Sequence, residues 1–502
     1  MANITLDWQD LVKPLTLPTG RQHRISIRRE TIPIIVVPGI MGTRLKSAEK
    51  KPTKLWDPDA HLFMLGKFGM FWVSARDKQE IILGKTRQYV PGSAVPFEDD
   101  AKHNQKSFEV EFPGASERGW GGVSWATYAP ILKALTNRDW GRAVSTCFRL
   151  PVYAVGFDWR GSAETAGQLL KKRVAVIKQT EIEQNHGQPC RRVILVTHSM
   201  GGLVARAACA EGLESEVLSM IHTVQPVDGA PAAYWRMKAG FERHKFFDFV
   251  PWVLGTNGLE VTALLGHMPG GCQLLPSATF RTDDGNPEWL TYAPNGGLGE
   301  GAKVPRRGNP YDEIYRNETD PWRLILIKDH LAGSRHANGA EVGSAWQDYL
   351  RCLRVAEAFH KKWSRYQHPK SWHFYGVGRP TAAAITIRRA MNMRATNKND
   401  WGHPQPTTIF DRGEFVAFEP TTPQPNRPSP ALTMSEPDGN GEGTVARSSA
   451  RALVSAGKKN GFPINNTGHD SFFADSPQAC SQIGDIIQSA CGDLIRAERV
   501  AA

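Results

Sequence analysis

This chain of 502 residues has no run of 18 or more consecutive apolar residues, so the sequence offers no membrane-spanning helix. Its first residues, Met1-Ala-Asn-Ile-Thr-Leu-Asp-Trp8, lack the apolar centre of a leader peptide. Synthesis and residence in the cytoplasm are expected, with any export by a route that reads no N-terminal signal. Cysteine is sparse: seven residues (147, 190, 209, 272, 352, 480 and 491), odd in number and scattered, with no C-x-x-C pair. That pattern excludes a disulfide framework and a cysteine zinc site, and points to buried free thiols in a reducing compartment. H-E-x-x-H is also absent, and His330 and His336, on either side of a Gly-Ser turn, read as loop residues. No metal and no cofactor are expected. Acidic side chains are outnumbered 50 to 61, and the formal net charge of +11 favours anionic surroundings, whether lipid head groups or nucleic acid. No internal repeat is present, which excludes a solenoid.

What the chain does have is 40% hydrophobic residues and 15 Trp, the make-up of a packed globular protein. Its most informative stretch is Val193-Ile-Leu-Val-Thr-His-Ser-Met-Gly-Gly-Leu-Val-Ala-Arg-Ala-Ala208. Aliphatic and β-branched residues predict a buried parallel strand, broken at 198–202. Leu203, Val204, Ala207 and Ala208 then recur at helical spacing. A strand, a sharp turn carrying Ser199 and a helix form a nucleophile elbow. Gly201 and Gly202 supply the small residues that a strained turn needs. The Met200 N–H, at the helix N-terminus, is placed to stabilise an oxyanion. Thr197 stands where such elbows carry Gly, and is expected to crowd the following helix and open the turn slightly.

Strand–helix alternation around the elbow predicts an α/β chain with a doubly wound, mostly parallel sheet. Ile32-Pro-Ile-Ile-Val-Val37 is the first buried strand, followed by Pro38-Gly-Ile-Met-Gly42, whose backbone can approach an oxyanion. Further strands are expected at 151–156, 221–224 and 372–378, and helices at 128–135, 163–185, 448–457 and 477–496. The organisation expected is an N-terminal arm at 1–30 and a core at 31–45 and 121–231. Insertions at 46–120 and 232–370 would form a lid or cap. A second part of the core would span 371–502, with a Pro-rich connection at 420–437.

An activated Ser needs a base, and the base an orienting carboxylate; on this fold they follow in the order Ser, acid, His. After residue 403 the only histidine is His469, framed by Gly468 and followed by aromatics ahead of the last helix. The acid is expected to be Glu442, with Asp438 and Asp228 as alternatives. Glu442, in Gly441-Glu-Gly-Thr-Val445, has the right chain order; Asp438 lies four residues earlier; Asp228 follows the strand after the elbow. Asp158 precedes the Ser and reads as a structural partner of Arg160.

Five stretches in order resemble lecithin:cholesterol acyltransferase and its bacterial relatives, which include GPI-inositol-deacylase-like lipases. They are Val37-Pro-Gly-Ile-Met-Gly-Thr-Arg-Leu45, Gly156-Phe-Asp-Trp-Arg160, Thr197-His-Ser-Met-Gly-Gly202, Tyr375-Gly-Val-Gly-Arg-Pro-Thr381 and Gly441-Glu-Gly-Thr-Val-Ala-Arg-Ser448. The family usually has Asp where Glu442 stands and Gly where Thr197 stands. The resemblance implies an α/β-hydrolase that cleaves or transfers an acyl chain of a glycerophospholipid, with an oxyanion hole formed by the N–H groups of Met200 and of Ile40 or Met41. The stretch from Val224 to Gly240 looks like the subgroup that includes antibacterial lipase effectors of the type VI secretion system. That similarity implies an immunity or secretion partner and export without a leader.

Two apolar segments, 61–73 and 246–254, are candidates to line a lid over an acyl chain, through Phe68, Phe71 and Trp72 and through Phe249 and Trp252. Equally, they are the hydrophobic cores of the insertions. With the elbow in view, the basic charge is read as favouring a membrane surface, with phospholipid or another long-chain acyl ester as substrate and no nucleic acid. The alternatives are an acyltransferase or a small-ester or thioester hydrolase on the same elbow, and a catalytically weak protein that binds lipid or a partner.

Overall fold

The computed structural model describes residues 2–12, 23–69, 73–97, 109–241, 255, 257–293, 302–319, 323–325, 327–334, 336–389, 407–412, 415–419, 431–434, 439–455, 457 and 459–501. At its centre six strands pair in parallel: β1 (Ile34–Val37), β2 (Val152–Ala154), β3 (Val193–His198), β4 (Val217–Thr223), β5 (Ser371–Val377) and β6 (Gly461–Asn465). Their spatial order is β6-β5-β4-β3-β1-β2. Every residue of β1, β3 and β4 is buried, as a parallel sheet covered on both faces requires. Alternation along these strands feeds two separate cores. Ile35, Val37, Leu195 and Met220 enter one; Ile34, Val36, Ile194, Val196 and Ile221 enter the other.

Helices cover both faces. Among them are α1 (Ala75–Leu83), α2 (Trp125–Thr136), α3 (Ala163–Gln184), α4 (Gly201–Ala208), α5 (Pro231–Ala239), α6 (Gly258–Leu265), α7 (Gly339–Trp363) and α8 (Pro477–Ala501). On the first core lie Leu170 and Val174 of α3, Leu203 and Val204 of α4, and Tyr349 and Leu353 of α7. On the second lie Ile131 and Leu132 of α2 and Ile483 and Ile487 of α8. This is the doubly wound α/β-hydrolase arrangement that the pattern implied. From β1 the chain steps outward to β2, then α3 carries it back across to β3. The winding direction therefore reverses between β1 and β3, the place where open α/β sheets bind ligands.

Several expectations are corrected. Residues 290–434, expected to divide between the 232–370 insertion and the second part of the core, build a sheet of their own. A second six-stranded sheet has the order Ala302–Val304, Leu290–Ala293, Ile385–Arg389, Ala431–Met434, Phe415–Glu419, Thr407–Arg412. The stretch read as a Pro-rich connection thus contributes a strand at Ala431–Met434, while 420–430 and 435–437 lie outside the described residues. Helix α7, unforeseen, runs 25 residues with Asn338 as its N-cap. The helix expected at 448–457 is one turn, Arg447–Ala450. The N-terminal arm pairs Ala2–Asp7 in parallel with His23–Arg28, and buries Trp8 against Phe148 at 4.8 Å.

Candidate active site

Register brings the site together. Thr197 on β3 lies opposite Val37 on β1, so Ser199 and the 38–42 loop leave the sheet side by side. His198 lies opposite Thr223, and Ser199 N–H donates to Thr223 O at 2.9 Å. Ser199 is held at φ +51°, a left-handed conformation that costs a non-glycine residue roughly 1–3 kcal/mol. Helix α4 begins two residues later. At Gly201 a Cβ would stand 2.4 Å from Pro38 O and 2.5 Å from Val37 O, so no larger residue fits without moving β1. Thr197 relieves the expected crowding of α4 by turning sideways: its hydroxyl meets His222 Nδ1 on β4 at 2.8 Å.

His469 follows β6 by four residues, and Glu442 follows the short strand Gly439–Gly441 that pairs with Arg379–Thr381 beyond β5. The Glu442 loop is pinned by Gly443 N–H donating to Thr381 Oγ1 at 2.8 Å. Glu442 Oε1 accepts from His469 Nδ1–H at 2.6 Å and from Val445 N–H at 2.8 Å. With Nδ1 protonated, His469 Nε2 is free to accept, and Ser199 Oγ donates to it at 2.8 Å. Glu442 is 2% exposed and Ser199 3%. Burial disfavours the charged imidazolium of His469. The hydrogen bond and charge of Glu442, with Asp470 nearby, outweigh that burial and hold its pKa above the ordinary histidine value.

Asp228 does not compete for this histidine. Its carboxylate accepts from Thr279 Oγ1 at 2.5 Å and pairs with Arg365 at 3.5 Å, anchoring the loop after β4. Asp438 lies outside the described residues. Asp158 takes the structural place expected of it: Arg160 binds both its oxygens at 2.7 Å and also donates to Ile82 O and Ser93 Oγ, tying the 46–120 insertion to the core.

The loop after β1 is a tight turn in which Gly42 N–H donates to Gly39 O at 3.2 Å, with Ile40 and Met41 between and Met41 at φ +62°. A Cβ at Gly39 would lie 2.9 Å from Ser199 Cβ, so the turn sits directly against the serine. Met200, the residue after the serine, is the N-cap of α4.

Of the expected lid residues, Phe68 is 1% exposed and packs edge-on to Trp56 at 6.2 Å, which agrees with the second of the two readings of its segment, the core of the insertion. Phe71, Trp72, Phe249 and Trp252 lie outside the described residues. Among the described residues, all seven cysteines are free and buried. Also among the described residues, no three His, Cys, Asp or Glu side chains are grouped to hold a metal ion.

The sequence reading passed over two residues that line the site. Tyr128 Oη accepts from Gly39 N–H at 2.8 Å and lies 3.1 Å from His198 Nδ1; His198 Nε2 lies 2.9 Å from the His469 carbonyl. His198 had a signal, a titratable residue closing a strand that begins with four aliphatic residues. Tyr128 had none beyond its place on a helix face.

The PGAP1-like alpha/beta domain family matches residues 131–248, the stretch holding β2, β3, β4 and the elbow. A solved structure, the crystal structure of the Tle4-Tli4 complex, contains a chain that is 21% identical with a TM-score of 0.66, over 92% of this chain and 99% of that one. The fold is therefore shared over nearly the whole length. Phospholipase PlaB from Legionella pneumophila aligns at 10% identity and a TM-score of 0.18, over 68% of this chain and 90% of that one, too low to bear on the fold. No curated protein sequence matches this chain. Among the described residues no helix is long and apolar enough to cross a membrane.

Proposed function

We propose that the protein is a serine ester hydrolase of the phospholipase type, acting through an acyl-enzyme. The observation that carries this reading is the hydrogen-bonded series Ser199–His469–Glu442 at the point where the sheet reverses its winding. Ser199 Oγ attacks the ester carbonyl carbon while His469 Nε2 takes its proton. Glu442 stabilises the imidazolium and fixes the tautomer. The N–H groups of Met200 and of Ile40 or Met41 receive the oxyanion. Collapse of the tetrahedral intermediate breaks the ester C–O bond, and His469 protonates the departing lysolipid oxygen. Water, deprotonated by His469, then releases the fatty acid and restores Ser199.

A lipid substrate is supported by the net charge of +11, which draws the protein to anionic head groups, and by the resemblance to acyl-lipid enzymes noted above. The structural relative was solved in complex with a second protein, Tli4. We extend that to this chain as a partner of the immunity type, consistent with a secreted antibacterial effector that meets the membrane peripherally. The test is incubation with phospholipid vesicles and identification of the products. Ser199→Ala should lower kcat by several orders of magnitude with little change in thermal unfolding, because the one bond lost, from Ser199 Oγ to His469 Nε2, leaves an acceptor on a side chain that is 11% exposed and not sealed from water. Near-wild-type turnover by that variant would end the proposal. A product carrying the acyl chain on an acceptor other than water would replace hydrolysis with transfer.

A further inference from the structure

A buried chain of hydrogen bonds runs beside the catalytic series and joins two loops that are far apart in sequence. The His469 carbonyl can only accept, so His198 carries its proton on Nε2. Its Nδ1 is then bare and accepts from the Tyr128 hydroxyl, whose oxygen accepts from Gly39 N–H. Tyr128 is 1% exposed and His198 3%, and the Phe473 ring packs on both, with centroids 5.6 Å from His198 and 6.3 Å from Tyr128. The fit has no slack. A Cβ at Gly39 would come within 3.1 Å of His198 Nδ1, and one at Gly42 within 2.5 Å of Tyr128 Oη. Burial, with the neighbouring His469, pushes the His198 imidazolium pKa down to about 4, so Nδ1 remains an acceptor at neutral pH. In the hydrolytic cycle above, neither residue contacts the ester.

We propose that His198 and Tyr128 are positioning residues that hold the base and the oxyanion turn in one register. His198, on the rigid last position of β3, fixes the His469 main chain so that Nε2 meets Ser199 Oγ. Tyr128, on α2, fixes Gly39 and through it the N–H groups of Ile40 and Met41. This inference rests on the hydrolase reading and deepens it by giving that site two further members.

The experiment compares His198→Gln, His198→Leu and Tyr128→Phe on a soluble short-chain ester, with fluorophosphonate labelling of Ser199 in the wild type as reference. The Gln amide nitrogen falls near the place of imidazole Nε2 and can keep the bond to the His469 carbonyl; Leu cannot. His198→Leu should lower kcat roughly 10²-fold with KM little changed, the scale expected when a reacting group is misplaced by about 1 Å. His198→Gln should recover at least tenfold of that loss. Tyr128→Phe should lower kcat about tenfold, and carries the test if the Leu variant does not fold. The acid limb of the pH–rate profile should keep its midpoint in all variants that fold, because His198 is uncharged across it. The proposal is overturned if Leu and Phe both stay within threefold of wild type, or if Gln is no better than Leu, or if the acid limb moves. A wild type that neither labels nor turns over ester would instead remove the hydrolase reading, and this inference with it.

Discussion

Replacing Glu442 by Gln isolates the charge of the acid from its shape. Glu442 Oε1 accepts two bonds at once, from His469 Nδ1–H and Val445 N–H, while Oε2 is buried without a hydrogen-bond partner among the described residues. If the Gln oxygen keeps the Oε1 place, its NH2 group is buried unsatisfied, at a cost of about 1–3 kcal/mol of stability. If the amide turns round, a donor faces two donors and His469 must adopt the wrong tautomer. Either way the imidazolium that forms during attack loses its counter-charge. For charge centres roughly 4 Å apart at an effective dielectric of about 20, that loss is about 4 kcal/mol, or close to three decades in kcat. The pH dependence follows with a definite sign. Glu442 raises the His469 pKa against burial, so its removal leaves burial unopposed, and the acid limb should move to lower pH. The assay is kcat against pH on a short-chain soluble ester for wild type, Glu442→Gln and Asp228→Asn, with thermal unfolding as control. Glu442→Gln within tenfold of wild type would refute the reasoning, as would a larger loss from Asp228→Asn, whose carboxylate faces Thr279 and Arg365.

Two further outcomes are expected. His198, His222, His360, His368 and His373 are all buried with imidazolium pKa values pushed down by burial, to about 4 for His198 and His360 and about 3 for His373. A folded pKa below the unfolded value near 6.5 gives stability that is complete above that pH and lost as pH falls through it. Each such histidine removes up to about 1.4 kcal/mol per pH unit. His469, with its pKa raised, has the opposite sign, losing its contribution as pH rises through the folded value, and does not offset five. Thermal melts should fall steadily from pH 6.5 to 5, and a flat Tm in that window would count against these burials. Phe68→Ala should cost about 3–5 kcal/mol by opening a cavity under Trp56, lowering Tm while changing vesicle and soluble-ester turnover of the folded protein alike. Selective loss on vesicles with an unchanged Tm would return Phe68 to a lid.

The elements that the sequence revealed by itself are those whose signal is local. The β3 strand, the elbow at Ser199 and the α4 stripe lie within sixteen consecutive residues, and a continuous aliphatic run giving way to apolar residues at helical spacing reads directly as strand, turn, helix. His469 followed from chain order and from being the last histidine. The tertiary structure decided what depends on distant segments meeting. Glu442 rather than Asp228 reaches His469 because the strand Gly439–Gly441 pairs with Arg379–Thr381, a contact across about sixty residues that no local pattern encodes. The second sheet joins short strands from 290 to 434, each too brief for periodicity to mark. Phe68 looked like a lid residue because aromatic composition is the same in a lid and in a core; only packing against Trp56 separates them. The link from Gly39 through Tyr128 and His198 to His469 spans 430 residues, and exists only because the sheet's register sets four chain segments within hydrogen-bond reach. Local periodicity specifies which elements form. Which side chains meet is set by long-range burial, where one polar group left unpaired costs as much as several good contacts provide.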